Sequence, residues 1–545
     1  MATTTIGGYL IERLLALGVR HIFGVPGDFV LGFYDLLTRS ELVVVNTSDE
    51  QGAGFAADGY ARINGIGAVC VTYGVGGLKV VNTTAEAYAE KSPVVVISGG
   101  PGVRERVHEP LVHHKIKTFQ SQLNIFREVT TASAIIDDPA TAQREIDRVL
   151  SACLRHSRPV YIELPRDLAL APIEVGEPHL DAGHSDDIAL DEALDAVRQL
   201  VAAAKQPVIL LGEELHRFEV HDTIPALLEA SGIPCASTTL SKSVVDESHP
   251  LYLGVYQGVL ANEEVRAYVE GSDCLLILGA NLSDVTLGIN TAHLDPSRSI
   301  LLTSEDLMIR RSHYQDVRFK DFVLRLPEVL GTRPWPEIPR PHRPEPWVAQ
   351  PGVPVTVARL FQCLNGFLAK TDVVVSDVGD ALFGATDLYV EDSGFVAPAY
   401  YLSLGFGVPA AIGVQLAHPA IRPLVIVGDG AFQMTGMELS TAVRYQADHG
   451  LSPIVILLDN KGYGTERPML DGPFNDINAW DYAALPSVLQ GGVGHTVRTE
   501  DDLDRALAAA RAETGTFSLV HVHLAIGDIS PTLRRLTEAL GKRVR

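Results

Sequence analysis

Residues 424–430 read Leu-Val-Ile-Val-Gly-Asp-Gly, and this stretch decides the fold class. The apolar run 424–427 predicts a buried parallel strand that ends at Gly428-Asp429-Gly430. A second apolar run, 454–458, predicts another buried strand and is followed by Asn460-Lys461-Gly462. Because ligands of open α/β sheets bind beyond the carboxyl ends of the strands, we expect both polar ends at one edge of a sheet. Their carboxylate, amide and backbone oxygens are ligands that Mg²⁺ prefers.

A Gly-Asp-Gly triplet alone occurs in many turns. Here a spacer of roughly thirty residues separates it from an Asn-x-Gly that follows a second strand. This split motif resembles the binding signature for thiamin diphosphate (ThDP). The resemblance implies that residues at both halves of the motif hold the diphosphate: Gly428, Asp429, Gly430, Ala431, Asn460 and Gly462. Three of them, Asp429, Asn460 and Gly462, would also bind Mg²⁺.

The chain has 545 residues, which is too long for one hydrophobic core. Its formal net charge of −23 disfavours a nucleic-acid partner. We see no polybasic run, no signal peptide and no apolar run long enough for a membrane span, so we expect no membrane association. The five cysteines are scattered without CxxC spacing, which fits a reducing cytoplasm. Four of them lie in or beside apolar runs and are predicted in the core, and Cys363 is predicted on a helix.

Strands and helices are predicted to alternate in three blocks, as in domains that each hold a mainly parallel sheet flanked by helices. The fold class is therefore α/β. The resemblance implies that the blocks are, in chain order, the ThDP pyrimidine-binding domain 1–175, a Rossmann-like middle domain 188–333 and the ThDP diphosphate-binding domain 354–528. A C-terminal helix follows at 529–545.

Two linkers separate the blocks. The first is a polar, acidic stretch at 174–187, and the second is a Pro-rich stretch at 331–353 that we expect to be extended. The middle block contains no Gly-x-Gly-x-x-Gly sequence, so we predict no nicotinamide cofactor. The first block is expected to contain strands at 42–45, 68–72, 93–98 and 159–164.

Glu50 follows the first of these strands and begins Glu-Gln-Gly-Ala-Gly-Phe-Ala-Ala-Asp-Gly-Tyr-Ala-Arg. Considered alone, it is a helix-start carboxylate that complements the helix dipole. The stretch also resembles the pyrimidine-binding domain of ThDP enzymes, in which such a glutamate contacts N1′ of the pyrimidine. The resemblance implies that Glu50 activates the cofactor, which itself supplies the hard chemistry.

Three further residues of the first block strengthen the resemblance. Asp28 in Gly-Val-Pro-Gly-Asp-Phe is by itself a helix N-cap, and paired histidines such as His113 and His114 most often lie on surfaces. Together with Glu50 they resemble the 2-oxo-acid decarboxylase branch of the family, which includes pyruvate, indolepyruvate and phenylpyruvate decarboxylases. The stretch Tyr73-Gly74-Val75-Gly76 continues the likeness, which implies that Val75 contacts the cofactor.

Two segments of the third block complete the predicted site. Glu466, in Tyr463-Gly464-Thr465-Glu466, stands where the family has a glutamate that faces the substrate. Leu404 matches the bulky apolar residue that bends the cofactor, and backbone groups of Leu402 and Leu404 are implied to bind the pyrimidine. Considered alone, Glu466 is a solvated charge and Leu404 an ordinary core leucine.

The chain departs from the family pattern at three places. Asp380 stands where decarboxylases usually carry a hydroxyl residue, and a carboxylate beside a diphosphate is repulsive unless it is protonated or turned away. We therefore leave Asp380 out of the predicted site. Asp459 precedes Asn460 where the usual pattern has two asparagines, but the metal ligand corresponds to Asn460. The spacer is longer by about four residues near 446–449, where we expect a surface loop.

The resemblance implies non-oxidative decarboxylation of a 2-oxo acid to an aldehyde and CO₂, a carboxy-lyase reaction. Asp28, His113, His114 and Glu466 would manage proton transfer and aldehyde release. Thr465 replaces a larger aliphatic residue of pyruvate-specific relatives, so we expect a pocket that takes branched or aryl 2-oxo acids besides pyruvate. Family members bind ThDP between two chains, which implies a homodimer as the smallest active unit and predicts a homotetramer.

Two alternatives stay open. An acetolactate synthase-like carboligase shares the cofactor, but such enzymes lack the paired histidines, and the synthases bind FAD in the middle domain. A catalytically silent scaffold with a ThDP fold is the second alternative, and the presence of Glu50, Asp429, Asn460 and Glu466 argues against it. A yellow purified protein or acetolactate formation would favour the carboligase. A cofactor-saturated protein without carbonyl turnover would favour the scaffold.

Overall fold

The computed structural model describes residues 2–341, 343, 345–391 and 393–544. Three sheets flanked by helices follow one another along the chain, which confirms the predicted α/β class. A small two-stranded sheet accompanies them, in which β1 (Ala2–Thr5) pairs antiparallel with β8 (Pro172–Val175).

The first large sheet has six parallel strands in the order β3-β2-β4-β5-β7-β6. Its strands are β2 (His21–Val25), β3 (Val43–Asn46), β4 (Gly67–Val71), β5 (Val94–Gly100), β6 (Ala132–Ile135) and β7 (Val160–Pro165). Its helices are α1 (Ile6–Ala16), α2 (Leu31–Thr38), α3 (Glu50–Asn64), α4 (Val75–Lys79), α5 (Val81–Ala89), α6 (Ser121–Arg127) and α7 (Ala142–His156).

The second large sheet has seven strands in the order β11-β10-β9-β12-β13-β14-β15, and its last two pairings are antiparallel. Its strands are β9 (Pro207–Leu211), β10 (Cys235–Ser237), β11 (Tyr252–Val255), β12 (Cys274–Leu278), β13 (Ser299–Leu302), β14 (Leu307–Ile309) and β15 (Ser312–Tyr314). Its helices are α8 (Asp187–Ala203), α9 (Glu214–Arg217), α10 (Ile224–Ser231), α11 (Glu263–Glu270) and α12 (Phe319–Arg325).

The third large sheet has six parallel strands in the order β17-β16-β18-β19-β21-β20. Its strands are β16 (Asp372–Ser376), β17 (Gly394–Val396), β18 (Arg422–Gly428), β19 (Ile454–Asp459), β20 (Val493–Val497) and β21 (Ser518–His523). Its helices are α13 (Val357–Phe367), α14 (Asp380–Thr386), α15 (Gly407–Ala417), α16 (Asp429–Thr435), α17 (Leu439–His449), α18 (Leu485–Leu489), α19 (Glu500–Ala512) and α20 (Pro531–Val544).

Helices α3 and α15 join the first sheet to the third through backbone contact. A Cβ atom on Gly413 would lie 1.9 Å from the carbonyl oxygen of Ala56, and one on Gly59 would lie 2.4 Å from that of Ala410. Both helices are buried along most of their length, and their side chains share one hydrophobic core. Glycine is therefore required where these two helices cross, because any side chain would separate them.

The first predicted linker is more ordered than its composition indicates. Its first residues lie in β8, and the following segment runs along α7. The backbone N–H of His179 donates to Asp147, at 3.0 Å, and that of Asp181 donates to Ser151, also at 3.0 Å. The second linker contains neither helix nor strand in the described part of 331–350.

The surface loop predicted near 446–449 is wrong. These residues form the last turn of α17, which ends at Gly450 with a left-handed φ of 67°. The helix extends to His449, whose ring lies 5.4 Å from that of His21 on the first sheet. The four cysteines predicted in the core are buried free thiols, and so is Cys363, which lies on α13 as predicted. Among the described helices, none combines the length and apolar character that a membrane crossing needs.

Candidate active site

The carboxyl ends of β18 and β19 bring the two half-motifs together. The strands are parallel neighbours, and Gly428 pairs with Leu458. Asp429 is the first residue of α16, and its carboxylate accepts hydrogen bonds from the backbone N–H groups of Gly430, at 2.8 Å, and Gly462, at 3.1 Å. Gly430 and Ala431 follow in the buried first turn of α16.

The oxygen atoms at this edge suit a divalent cation. Asn460 Oδ1 is buried and has no hydrogen-bond partner among the described residues. Asp429 is 1% exposed, and burial, followed by the nearby charge of Asp459, raises the pKa of its carboxyl group to about 7. A cation would satisfy the amide oxygen and stabilise the carboxylate, and Mg²⁺ prefers such oxygen ligands. The residues present therefore fit a divalent cation such as Mg²⁺.

The turn after β19 is fixed by its backbone geometry. Lys461 and Gly462 both have positive φ, 64° and 151°. A Cβ atom on Gly462 would lie 2.0 Å from the carbonyl oxygen of Asn475, so glycine is required there. The same carbonyl accepts a hydrogen bond of 2.9 Å from the backbone N–H of Tyr463. This contact holds the turn, and with it Asn460, against segment 473–475.

Leu404 and Leu402 lie in a turn that Asp377 holds from one side. The carboxylate of Asp377 accepts hydrogen bonds from the backbone N–H groups of Gly405, at 3.1 Å, and Gly407, at 2.7 Å. Asp377 is fully buried, and burial raises its pKa to about 6. Leu402 has a φ of 63°, a conformation that costs energy for a bulky residue and is typical of functional sites.

Two glutamates of the first sheet's helices hold the same turn from the other side. Glu90 accepts hydrogen bonds from the backbone N–H groups of Tyr400, at 2.8 Å, and Tyr401, at 2.9 Å. Glu86 accepts one from Ser403, at 3.3 Å, and burial raises the pKa of Glu86. Sequence reasoning missed these anchors, because nothing local in the sequence links them to a turn three hundred residues away.

Glu50 begins α3, and the start of this helix is held by the third sheet's domain. The carboxylate of Glu438 accepts hydrogen bonds from the backbone N–H groups of Ser48, at 3.2 Å, and Asp49, at 2.9 Å. The Glu50 side chain is 12% exposed, and its Oε2 lies 2.9 Å from Nζ of Lys79. A Cβ atom on Gly76 would lie 3.3 Å from Glu50 Oε1. Glu50 therefore faces α4, which begins at the exposed Val75.

Asp28, His113 and His114 meet on the same side of the first sheet. Asp28 Oδ2 lies 2.8 Å from His113 Nε2, and the two imidazole rings are 4.8 Å apart. His114 Nδ1 lies 3.1 Å from the carbonyl oxygen of Tyr73, which can only accept, so Nδ1 carries the hydrogen. Phe29 stacks on the His113 ring at 4.6 Å. This cluster adjoins the 73–76 loop that also contacts Glu50.

Arg166 is a further member of this cluster that sequence reasoning missed. Its Nη1 lies 3.7 Å from Asp28 Oδ2, and its guanidinium lies 5.0 Å from the centre of the Phe29 ring. It also pairs with Glu105, and this hydrogen bond raises the pKa of Arg166. Arg166 follows the end of β7, where sheet ligands bind, and this position is the signal that could have indicated it.

Glu466 lies apart from that cluster. It is exposed, and its backbone N–H donates to the carbonyl oxygen of Tyr463 at 3.2 Å. Within the described residues, no hydrogen bond or ion pair joins it to Asp28, His113 or His114. The neighbouring Thr465 faces the Gly379 turn, with its Cγ2 3.7 Å from the position of a Gly379 Cβ atom. One chain thus carries two groups of predicted site residues, one on the first sheet and one on the third.

Comparison with known proteins identifies the family of this chain. The chain matches the thiamine pyrophosphate enzyme N-terminal TPP binding domain over residues 4–126, the central domain over 194–321 and the C-terminal TPP binding domain over 377–522. Thiamine pyrophosphate is another name for ThDP. An indole-3-pyruvate decarboxylase of Azospirillum brasilense is 36% identical over 539 residues, which cover 97% of either protein.

Two mycobacterial proteins are similar to the same extent. An alpha-keto-acid decarboxylase of Mycobacterium tuberculosis is 35% identical over 550 residues, 98% of this chain and 97% of that protein. One of Mycobacterium leprae is 34% identical over 552 residues, 98% of this chain and 95% of that protein. The chain therefore belongs to the thiamine pyrophosphate enzymes, in the family of 2-oxo-acid decarboxylases.

Proposed function

We propose that this protein catalyses the ThDP- and Mg²⁺-dependent, non-oxidative decarboxylation of a 2-oxo acid to an aldehyde and CO₂. The observation that carries the proposal is the contact of Asp28 with His113, at 2.8 Å, beside the loop that contacts Glu50. An acid–imidazole pair at this place can hold and move a proton close to the cofactor's pyrimidine end. The names of the relatives, all decarboxylases, support the same reaction.

The residues that would hold the cofactor divide between the two domains. Mg²⁺ would bind Asp429, Asn460 and the backbone of Gly462, with Gly428, Gly430 and Ala431 at the diphosphate. Glu50, Val75, Leu402 and Leu404 would contact the pyrimidine end. When bound, ThDP supplies an electron sink for the electron pair that remains when CO₂ leaves.

The ionisable side chains would handle the protons. Glu50 would hold a proton at N1′ of the pyrimidine. His113 donates from Nε2 to Asp28, whereas His114 has its hydrogen on Nδ1 and keeps Nε2 free to accept a proton. Asp28 and Glu466 would place negative charge near the carboxylate that departs and would assist protonation of the product.

The pocket would accept acids larger than pyruvate. Thr465 is smaller than the aliphatic residue of pyruvate-specific relatives, and it faces Gly379, which has no side chain. The A. brasilense relative is named for indole-3-pyruvate, an acid with a bulky aromatic group. We therefore propose aryl or branched 2-oxo acids as substrates besides pyruvate.

The active unit would be a homodimer, assembled further into a homotetramer. Apolar side chains are exposed beside both groups of site residues, with Val75 at 54%, Met434 at 49% and Met437 at 43%. A second copy that covers them would bring its Glu466 to the Asp28 cluster of the first. We also propose domain boundaries at 1–175, 188–333 and 354–528, and a cytoplasmic location that suits five free thiols.

The test is an activity assay with a matched control. Pyruvate and then phenylpyruvate are added to the protein with ThDP and Mg²⁺, and aldehyde is followed with alcohol dehydrogenase and NADH. Glu50→Gln should lower the rate by about 100-fold or more, because it removes the proton-holding carboxyl group. Glu12→Gln, at an exposed position of α1, should leave the rate unchanged. Acetolactate instead of aldehyde, or no product from either acid, would contradict the proposal.

A further inference from the structure

A buried cluster of one carboxylate and two imidazoles lies directly behind the proposed metal site. Asp459 is the last residue of β19, and His521 and His523 lie at the end of the neighbouring strand β21. Oδ2 of Asp459 lies 2.8 Å from Nε2 of His521 and 3.3 Å from Nδ1 of His523. Asp459 is 5% exposed and His521 is 3% exposed. The carboxylate can only accept, so His521 donates from Nε2.

The position of Asp459 would allow its carboxylate to interfere with the proposed metal ligands. It precedes the proposed ligand Asn460 and occupies a position at which the family pattern has an asparagine. Its negative charge acts on Asp429, another proposed ligand, and adds to the effect of burial in raising the pKa of that carboxyl group. An unrestrained carboxylate here could enter the coordination sphere of a cation and displace the neutral amide of Asn460.

His521 is placed to prevent this. Its imidazole packs edge-on against Tyr482, with ring centres 5.1 Å apart, and the Tyr482 hydroxyl accepts a hydrogen bond of 2.9 Å from Gln433. Gln433 lies on α16, the helix that begins at Asp429. Nδ1 of His521 is buried without a hydrogen-bond partner among the described residues. The hydrogen bond from Nε2 to Asp459 is therefore the polar contact that orients this ring.

We propose that His521 is a positioning residue for the cofactor's cation: it holds Asp459 against β21 and so keeps the ligand set to Asp429, Asn460 and Gly462. The inference rests on the proposed function, because it concerns the metal of that site. It implies that Asp459 and His521 form a functional pair. Loss of the imidazole is harmful only while residue 459 carries a carboxylate.

The test measures cation binding rather than turnover. Mn²⁺ replaces Mg²⁺, and its dissociation constant is measured by electron paramagnetic resonance with saturating ThDP. His521→Leu should weaken Mn²⁺ binding by about 10- to 100-fold, the usual effect of losing a residue behind the ligand set, because the released Asp459 carboxylate would displace Asn460 and repel the diphosphate that shares the cation. Asp459→Asn alone should change it by less than about threefold, and Asp459→Asn combined with His521→Leu should return it to that level.

Two controls separate positioning from general stability. His216→Leu removes a half-buried imidazole of the middle sheet's domain and should leave Mn²⁺ binding unchanged. If His521→Leu does not fold, His521→Asn takes its place, since its amide is too short to reach Asp459 and should give the same reversible loss. Unchanged Mn²⁺ binding in these variants, or a loss that Asp459→Asn does not reverse, would overturn the inference. A wild-type protein that binds no Mn²⁺ with ThDP would instead overturn the proposed function.

Discussion

The carboxylate of Asp380 accepts a hydrogen bond from the backbone N–H of Ser530, at 2.9 Å to Oδ2 and 3.2 Å to Oδ1. Asp380 begins α14, and Ser530 caps α20 by accepting a hydrogen bond of 3.1 Å from the backbone N–H of Leu533. A second hydrogen bond joins the end of α14 to α20: the Asp387 carboxylate accepts it from the Thr532 hydroxyl at 2.7 Å. The carboxylate that departs from the family pattern therefore faces the C-terminal helix.

Asp380→Ala should loosen the start of α20. The substitution leaves the buried N–H of Ser530 without its partner, which costs about 1–3 kcal/mol. Amide hydrogen exchange over residues 530–536 should accelerate about tenfold or more, whereas α13 should keep its rates. Asp380→Asn retains an acceptor oxygen and should have a smaller effect. Equal exchange in wild type and Asp380→Ala would show that this contact does not hold the helix.

Asp380 also predicts a pH dependence of stability. Burial raises its pKa to about 6, above the value of an aspartate in an unfolded chain. Its contribution to stability is therefore fully present below about pH 4 and is lost as the pH rises through about 6. Relative to Asp380→Asn, the wild type should lose on the order of 2 kcal/mol between pH 4.5 and 7.5 in urea unfolding. The exposed Asp187→Asn provides the control, and a pH-independent difference would contradict the prediction.

Gly413→Ala should destabilise the protein although alanine favours helices. The new methyl group would lie 1.9 Å from the carbonyl oxygen of Ala56, so α3 and α15 must separate, at a cost of about 1–3 kcal/mol. The matched control is Gly366→Ala in α13, where the nearest neighbour is 4.0 Å away. Calorimetry should show a lower unfolding midpoint for Gly413→Ala and an unchanged or higher one for Gly366→Ala. Similar midpoints for both would contradict the close packing.

Asp429→Asn should abolish metal binding without lowering the stability of the cofactor-free protein. Wild-type protein should gain thermal stability when ThDP and Mg²⁺ are added together, and EDTA should reverse the gain. Asp429→Asn should lose this gain, because it lacks the charged ligand. Without cofactor its unfolding midpoint should be unchanged or higher, since a buried charge has been removed. The exposed Asp448→Asn should behave as wild type, and a full cofactor response in Asp429→Asn would place the metal elsewhere.

Thr465→Ile should narrow the substrate range. Thr465 faces Gly379, and added bulk at this point would reduce the space for a large acid. The ratio of kcat/KM for phenylpyruvate to that for pyruvate should fall about tenfold or more, as expected when a pocket loses the room of a methylene group. Thr465→Val keeps the volume and should preserve the ratio within about threefold. If Thr465→Ile left this ratio unchanged, Thr465 would not line the part of the pocket that selects the substrate.

The sequence predicted what is encoded locally. The strands that carry the half-motifs span Arg422–Gly428 and Ile454–Asp459, close to the predicted runs 424–427 and 454–458. The half-motifs themselves meet because parallel neighbours bring their carboxyl ends to one edge. The strand expected at 42–45 occupies Val43–Asn46, one residue further along.

What the sequence could not predict depends on contacts between distant residues. The pairing of β1 with β8 joins Ala2 to Val175, and no local pattern specifies such a partner. The same is true of the side chains that hold the site, such as Glu438 at the start of α3 and His521 beside Asp459. The last turn of α17 is a further case, since its His449 meets His21, a residue more than four hundred positions earlier in the chain.

The crossing of α3 and α15 restricts how this protein can change by recombination. Where Gly413 meets Ala56 and Gly59 meets Ala410, the two backbones leave no room for a side chain. A first domain exchanged from a relative would therefore fit only if that relative presents equally small residues at its crossing. A chimaera that takes α3 and α15 from one parent keeps this contact intact, whereas one that divides them depends on small residues at both crossing positions.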